Sequence, residues 1–482
     1  MKRLAYLLFI CTLISFSINC WGLGINKGET GTKTIRIDIA NSYQTIEGWG
    51  SSLCWWAAQV GNWNESKVDS IVDLITSPDK LNMNIFRYNI GAGDDPSHID
   101  GHMVKGKGKR AEMEGFMASA DAHYDWSADK GQRIIMLKIK EKRPDAIFEA
   151  FSNSPPHWMT FSGCSAGNID PMQDNLKPEY YGAFCDYLID VCKHYKEQYG
   201  IEFKTLEPFN ESTSNYWNNQ GSQEGCHFSP ETQMKIIRMI TPKLKTSGLQ
   251  TMLSASDETN IAAFINVLKQ YQSAGDILDK VGQLNTHTYS GNNTERKEAN
   301  VMVKEIKKTF WQSETGPSGK HKTSFESNLS LAQKLFDDMR YMKPQAWLDW
   351  QLMEETNDVW CLMRCNFKSQ AFTPVKNLYV REQITRFFKQ GYTIVETGNN
   401  QVLGAINPNK TELVIAILNT TDKENSYNLQ VEAFGKTPKS GFVYRTTTTE
   451  NCTRIMNSKV KNKSISYLAP GLSLTTIIIP IN

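Results

Sequence analysis

The chain has 482 residues, with 53 basic and 51 acidic side chains and a net charge of +2. That length allows one large unit and a smaller companion, at about 150 residues per domain. The balanced charge, with no long basic block, gives no sign of a polyanion partner, nucleic acid included.

The first residues, MKRLAYLLFICTLISFSINCWG, set Lys2 and Arg3 ahead of an apolar run from Leu4 to Ile18. This is the pattern of a secretory signal peptide over residues 1–22, and the run is too short to favour a membrane span. Cys20 opens the alternative of a lipoprotein signal cleaved near Cys20 with a lipid anchor on that residue, although Asn19 stands where a small residue is usual. The expectation is an exported protein: secreted, periplasmic or lipid-anchored at the cell surface, with no membrane span. Export permits disulfides among the eight cysteines beyond Cys20, but a domain of this size does not need them. Cys361 and Cys365 lack the second pair a zinc site requires. His98 and His102, four apart in a Gly- and Asp-rich loop, are not a convincing ligand pair. No metal and no cofactor is expected.

From Thr34, TIRIDIANSYQTIEGWG alternates apolar and polar residues as a half-exposed strand does. It then gives way to short apolar runs alternating with amphipathic helical stretches. The strand candidates are GWGSSLC, MNIFRYNIG, AIFEAFSNS, FKTLEPFNE, TMLSASDE, QLNTHTYS, TFWQSETG and AWLDWQLM. Eight of them predict an α/β fold, a (β/α)8 TIM barrel over residues 46–385 with its active site at the C-terminal strand ends. In KPEYYGAFCDYLIDVCKHYKEQYG, Tyr180, Phe184, Tyr187, Leu188, Val191 and Tyr195 recur at helical spacing, a core-facing stripe. The connection from Gly91 to Trp126 is long and rich in Gly, Asp and His; it either shapes a cleft or is a surface insertion. After Arg386 helical periodicity disappears and YTIVETG, TELVIAILNTT, YNLQVEAFG, GFVYRTTTTE and TTIIIPIN read as strands. Residues 34–45 plus 386–482 are expected to form an all-β sandwich side domain.

Breaking a glycosidic bond takes two carboxyl groups flanking one acetal. Glu211, in FNESTSNYW after the fourth strand, and Glu314, in FWQSETG at the end of the seventh, are about 100 residues apart in sequence, and a barrel brings them together. Either alone reads as an ordinary solvated Glu; the pair at strand positions four and seven is the stronger signal. Asp257 and Glu258, after the fifth strand, rank as substrate-binding or structural groups.

With these residues in place, from IEGWGSS through SPPHWM and ETG to the terminal β segment, the mature chain resembles glycoside hydrolase family 30. The resemblance implies a retaining double displacement with Glu211 as acid/base and Glu314 as nucleophile, on a barrel fused to a β sandwich. The family's Asn-Glu-Pro is Asn210-Glu211-Ser212 here, with Pro208 placed earlier, which points to a distinct branch. FEAFSNSPPHWMTFSGC with GWGSSLCWWA is most similar to the endo-β-1,6-galactanase branch, which cuts arabinogalactan side chains. A β-1,6-glucanase or other β-glycosidase of the family is the alternative within this chemistry. A non-catalytic carbohydrate-binding barrel is the alternative outside it, and the presence of both glutamates argues against that.

Around the pair, Asn210 is placed to bond the 2-hydroxyl of the sugar at the cleavage point. Arg87 either keeps the nucleophile ionised or is a buried barrel ion pair. His287 and Tyr289 end the sixth strand, where a phenol can donate to the nucleophile or simply pack. Trp158, Trp350, Trp55 and Trp56 are candidate ring platforms for a polysaccharide or oligosaccharide substrate, each with an equal claim to being core.

Overall fold

The computed structural model describes residues 31–95, 113–431 and 440–481. The leader with Cys20, and His98 and His102, lie outside the described residues. Among the described residues no helix is long and apolar enough to cross a membrane, and the eight described cysteines are buried free thiols.

Eight parallel strands close into a barrel: Gly48–Ser52, Ile85–Asn89, Ile147–Phe151, Thr205–Glu207, Met252–Glu258, Gln283–His287, Thr309–Glu314 and Ala346–Asp349. The pleat sends alternate residues to opposite faces. Phe86, Tyr88, Phe148, Ala150, Leu206 and Leu284 therefore pack outward in a core shared with residues of the surrounding helices, Ile71, Ile139, Leu188 and Ile237 among them. Of the intervening positions, Ile85, Trp311, Ala346 and Leu348 form a small apolar cluster, and Arg87, Glu149, Thr205, Gln283 and Asn285 form a buried polar network. Glu149 accepts from Arg87 Nε at 2.8 Å, Thr205 Oγ1 at 2.6 Å and Asn285 Nδ2 at 2.9 Å. A charged barrel interior survives because its members are hydrogen-bonded to one another.

The N-terminal stretch is two strands rather than one. Lys33–Arg36 pairs with Asn425–Gln430, and Asp38–Thr45 pairs with Thr393–Glu396. They belong to a three-stranded and a seven-stranded sheet. Glu412–Asn419 explains how the sheets and the barrel are joined. Leu413, Ile415 and Ile417 face a core with Ile35, Leu429, Ile465 and Ile477 between the sheets. Val414, Ala416 and Leu418 face the barrel helices through Phe325, Leu335, Phe336 and Ile384. A strand buried on both faces has an unbroken apolar run in place of alternation. Five further strands, Val402–Ile406, Ser440–Thr446, Thr453–Lys459, Ser464–Ala469 and Ser473–Pro480, complete these sheets, and a small sheet of Met353–Glu354, Met363–Asn366 and Ala371–Pro374 follows the eighth barrel strand.

Candidate active site

The fourth barrel strand stops at Glu207, and the chain reaches Glu211 in a left-handed backbone conformation with φ of +50°. A non-glycine residue rarely adopts this conformation, and here its surroundings impose it. The Glu211 N–H donates to the Asp257 carbonyl at 2.8 Å, and the Glu211 carbonyl accepts the Trp217 indole N–H at 3.0 Å. The Tyr216 hydroxyl donates to Glu211 Oε2 at 2.5 Å. The two rings of FNESTSNYW thus divide the work: buried Trp217 fixes the backbone, and Tyr216 holds the carboxylate.

Glu314 ends the seventh strand opposite. Its Oε1 accepts from Tyr289 at 2.8 Å, and its Oε2 lies 3.3 Å from Arg87 Nη1. Arg87 is fully buried and also reaches Glu149 and Asp257. His287 Nδ1 stands between the two glutamates, 3.0 Å from Glu211 Oε1 and 3.4 Å from Glu314 Oε1, while its Nε2 faces Asp257 Oδ1 at 3.2 Å. One oxygen of Glu211, one of Glu314 and one nitrogen of His287 lie within 4.8 Å of one another. Three such donors could in principle hold a cation, but here they are joined to one another and to Tyr216 and Tyr289, with the Arg87 charge alongside.

Burial pushes Glu314 up to about 7 and the Glu211 charge adds to this, against the pull of His287 and Arg87. Burial acts on Glu211 in the same direction, but the His287 hydrogen bond and charge and the Tyr216 hydroxyl bring it below the ordinary carboxylate range. Burial alone would lower His287; the Glu314 and Asp257 charges instead hold it well above the usual imidazole range. Protons in this site therefore belong to the three groups together.

The two carboxylates open into a pocket of about 430 Å³, walled by Tyr216 and Thr259 on the Glu211 side and by Tyr289, Trp350 and Trp360 on the Glu314 side. The family model for O-glycosyl hydrolase family 30 matches residues 32–302. An endo-beta-1,6-galactanase from Hypocrea rufa is 31% identical over 401 residues, covering 80% of this chain and 81% of that protein. The chain belongs to O-glycosyl hydrolase family 30. It is a glycoside hydrolase of a family whose enzymes retain anomeric configuration. An exo-beta-1,6-galactobiohydrolase from Bifidobacterium longum subsp. longum is 24% identical over 412 residues, which cover 66% of this chain and 26% of that longer protein. Among solved structures, a conserved exported protein from Bacteroides fragilis superimposes with a TM-score of 0.81 at 19% identity, over 92% of this chain and all of that one.

Of the residues singled out in the sequence, the family 30 fold brings Glu211, Glu314, Arg87, Asn210, His287, Tyr289 and Trp350 to one place. Asn210 lines the pocket, and its buried Oδ1 has no partner among the described residues. Three of the tryptophans stand elsewhere. Trp56 is turned into the core, its indole N–H donating to the Ser52 carbonyl at 3.1 Å. Trp158 is tied to the Met117 carbonyl at 3.0 Å and packs edge-on against Tyr180. Trp55 is buried behind Trp350, centroids 5.7 Å apart at 80°, and supports that ring from beneath. Asp257 and Glu258 are structural: Asp257 binds Arg87 and Ser313, and Glu258 accepts from the Thr213 N–H at 3.1 Å and its hydroxyl at 2.5 Å.

Sequence reasoning missed Glu149, Glu224 and Trp360. Glu224, fully buried, accepts from the Ala92 N–H at 3.0 Å and the Met113 N–H at 3.3 Å, tying the start of the long connection after the second strand and a point within it to the Glu211 loop. Nothing in QEGC or NDVWC marks these side chains, because neither sits in a periodic element.

Proposed function

We propose that the protein is an exported endo-β-1,6-galactanase acting on arabinogalactan side chains, with Glu314 as nucleophile and Glu211 as acid/base. The observation that carries the mechanism is the spacing: oxygens of the two glutamates within 4.8 Å, against about 5–5.5 Å between carboxyls in retaining enzymes and about 6.5–9.5 Å in inverting ones. So close an approach falls in the retaining range and short of the inverting one. The substrate is supported by the Hypocrea rufa relative, whose match spans four-fifths of both chains. Export is supported by the charged and then apolar N-terminus.

In the first step Glu314 bonds to the anomeric carbon, the glycosidic C–O bond breaks, and the leaving oxygen takes a proton from Glu211. In the second, water attacks the same carbon, Glu211 takes the water's proton, and Glu314 leaves as a carboxylate. The proton for the first step has a local source. Once Glu314 is ionised, His287 retains the proton on Nδ1, 3.0 Å from Glu211 Oε1, and can pass it across while its Nε2 faces Asp257. Asn210 accepts or donates at the 2-hydroxyl, and Trp350 offers an apolar face to the sugar at the cleavage point.

Chromatographic analysis of products from β-1,6-galactan and β-1,6-glucan, with wild type and Glu314→Gln, tests the reading. Short galacto-oligosaccharides from wild type alone are expected. Products from glucan alone would replace the substrate and keep the mechanism; binding without cleavage by wild type would overturn the catalytic assignment.

A further inference from the structure

The pocket contains an indole that the bond-breaking chemistry does not use. Trp360 lies between Met353–Glu354 and Met363–Asn366, is half-buried and lines the pocket. Its ring tilts over Tyr289, centroids 6.2 Å apart at 35°, and packs against the cluster that holds Trp55 and Trp350. Its seat is Gly316, two residues after Glu314. A Cβ on Gly316 would meet Cζ3 of Trp360 at 2.4 Å, closer than real contacts allow. Gly316 is not among the glycines in the left-handed region, so its backbone would accept any residue. What the glycine supplies is space for the indole. Lys334 fixes that seat: its Nζ donates to the Gly316 carbonyl at 3.0 Å and the Tyr289 carbonyl at 3.3 Å.

These contacts put Trp360 on one particular side of the scissile bond. Tyr289 and Gly316 belong to the nucleophile, whereas Tyr216, which bonds both Glu211 and Thr259, belongs to the acid. In a double displacement the sugar that becomes attached to the enzyme lies over the nucleophile, and the departing one lies over the acid. A flat apolar ring on the nucleophile's side is matched to the C–H face of a hexopyranose.

We propose that Trp360 is the stacking face for the non-leaving sugars of the substrate, and that Gly316 is a positioning residue acting through it. This rests on the glycosidase reading of the pocket. The test compares wild type, Trp360→Ala, Trp360→Phe and Gly316→Ala, first on β-1,6-linked galacto-oligosaccharides and then on an aryl β-1,6-galactobioside, which keeps the non-leaving sugars and replaces the leaving one. Trp360→Ala and Gly316→Ala are expected to raise KM about tenfold on both substrates with kcat nearly unchanged, while Trp360→Phe retains most of the affinity. An unchanged KM in Trp360→Ala, or a penalty confined to the sugar leaving group, would overturn the proposal. Should Gly316→Ala fail to fold, the Ala and Phe variants at Trp360 decide alone. Calorimetric binding of β-1,6-galactobiose to Glu314→Gln, with and without Trp360→Ala, separates this inference from the reading beneath it. If wild type cleaves nothing, a loss of binding on removing Trp360 still upholds the stacking face; equal or absent binding in both overturns it.

Discussion

The Tyr289 hydroxyl donates to Glu314 Oε1 at 2.8 Å while Arg87 lies against Oε2 at 3.3 Å, so both oxygens of one carboxylate are held before any sugar arrives. Such pre-set donors orient a nucleophile without reorganisation during the reaction. Tyr289→Phe removes one of them and leaves the ring. Steady-state kinetics should show kcat lowered about 10- to 100-fold with KM within about threefold; a change in KM alone would assign the phenol to substrate binding instead.

Arg87 bonds Glu149, Asp257 and Glu314 from the barrel interior. Replacing it with Met leaves three buried carboxyls facing one another, and breaking a buried charge cluster in this way costs about 3–5 kcal/mol. Lys cannot span three partners with one ammonium, so Arg87→Lys should also fall well below wild type. Urea denaturation measures both, and an unchanged midpoint in either variant would contradict the role given to this network.

The pH profile carries a signed expectation. In the proposed mechanism Glu314 attacks as a carboxylate, and burial together with the Glu211 charge pushes it up to about 7; kcat/KM should therefore rise with pH through that value. Glu211→Gln removes the neighbouring negative charge, Glu314 then ionises more readily, and the acid limb should move to lower pH. An aryl glycoside with a good leaving group is the substrate for this measurement, since it needs little protonation. A limb that stays in place or moves upward would show that Glu211 does not bear on Glu314.

The two glutamates also separate by leaving group. Glu211→Ala should slow oligosaccharide cleavage severely and spare activated aryl glycosides, because only the former need the departing oxygen protonated. Azide, small enough to enter the space left at Glu211, should restore turnover and give a β-configured glycosyl azide. Equal losses on both classes of substrate would remove Glu211 from the acid/base role.

The barrel and the placement of the two glutamates were legible in the sequence because both depend on local patterns: eight apolar runs, and a Glu at the end of two of them. Arg87 was legible as a cation placed by the second strand pattern, whereas Glu149, a charge within the equally apolar Ile147–Phe151, was not, because nothing local tells a barrel-interior charge from a solvated one. The tryptophans were not. Trp56, Trp158 and Trp350 look alike in sequence, and only long-range packing, such as the Ser52 and Met117 carbonyls that capture two of the indoles, decides which ring lines the pocket. Trp360 and Glu224 lie in irregular connections, where side-chain direction follows the tertiary structure and no period announces it. Strands such as Val402–Ile406 were missed because a buried QVLGAI is too short to show alternation.

The most direct test of the mechanism is the anomeric configuration of the first product, followed by proton NMR during cleavage of β-1,6-linked galacto-oligosaccharides by the enzyme. An oxygen of each glutamate within 4.8 Å of the other matches the two-inversion geometry of retaining enzymes, so the β anomer should appear first and mutarotate afterwards. Initial release of the α anomer would mean a single displacement by water and would contradict the assignment of Glu314 as nucleophile.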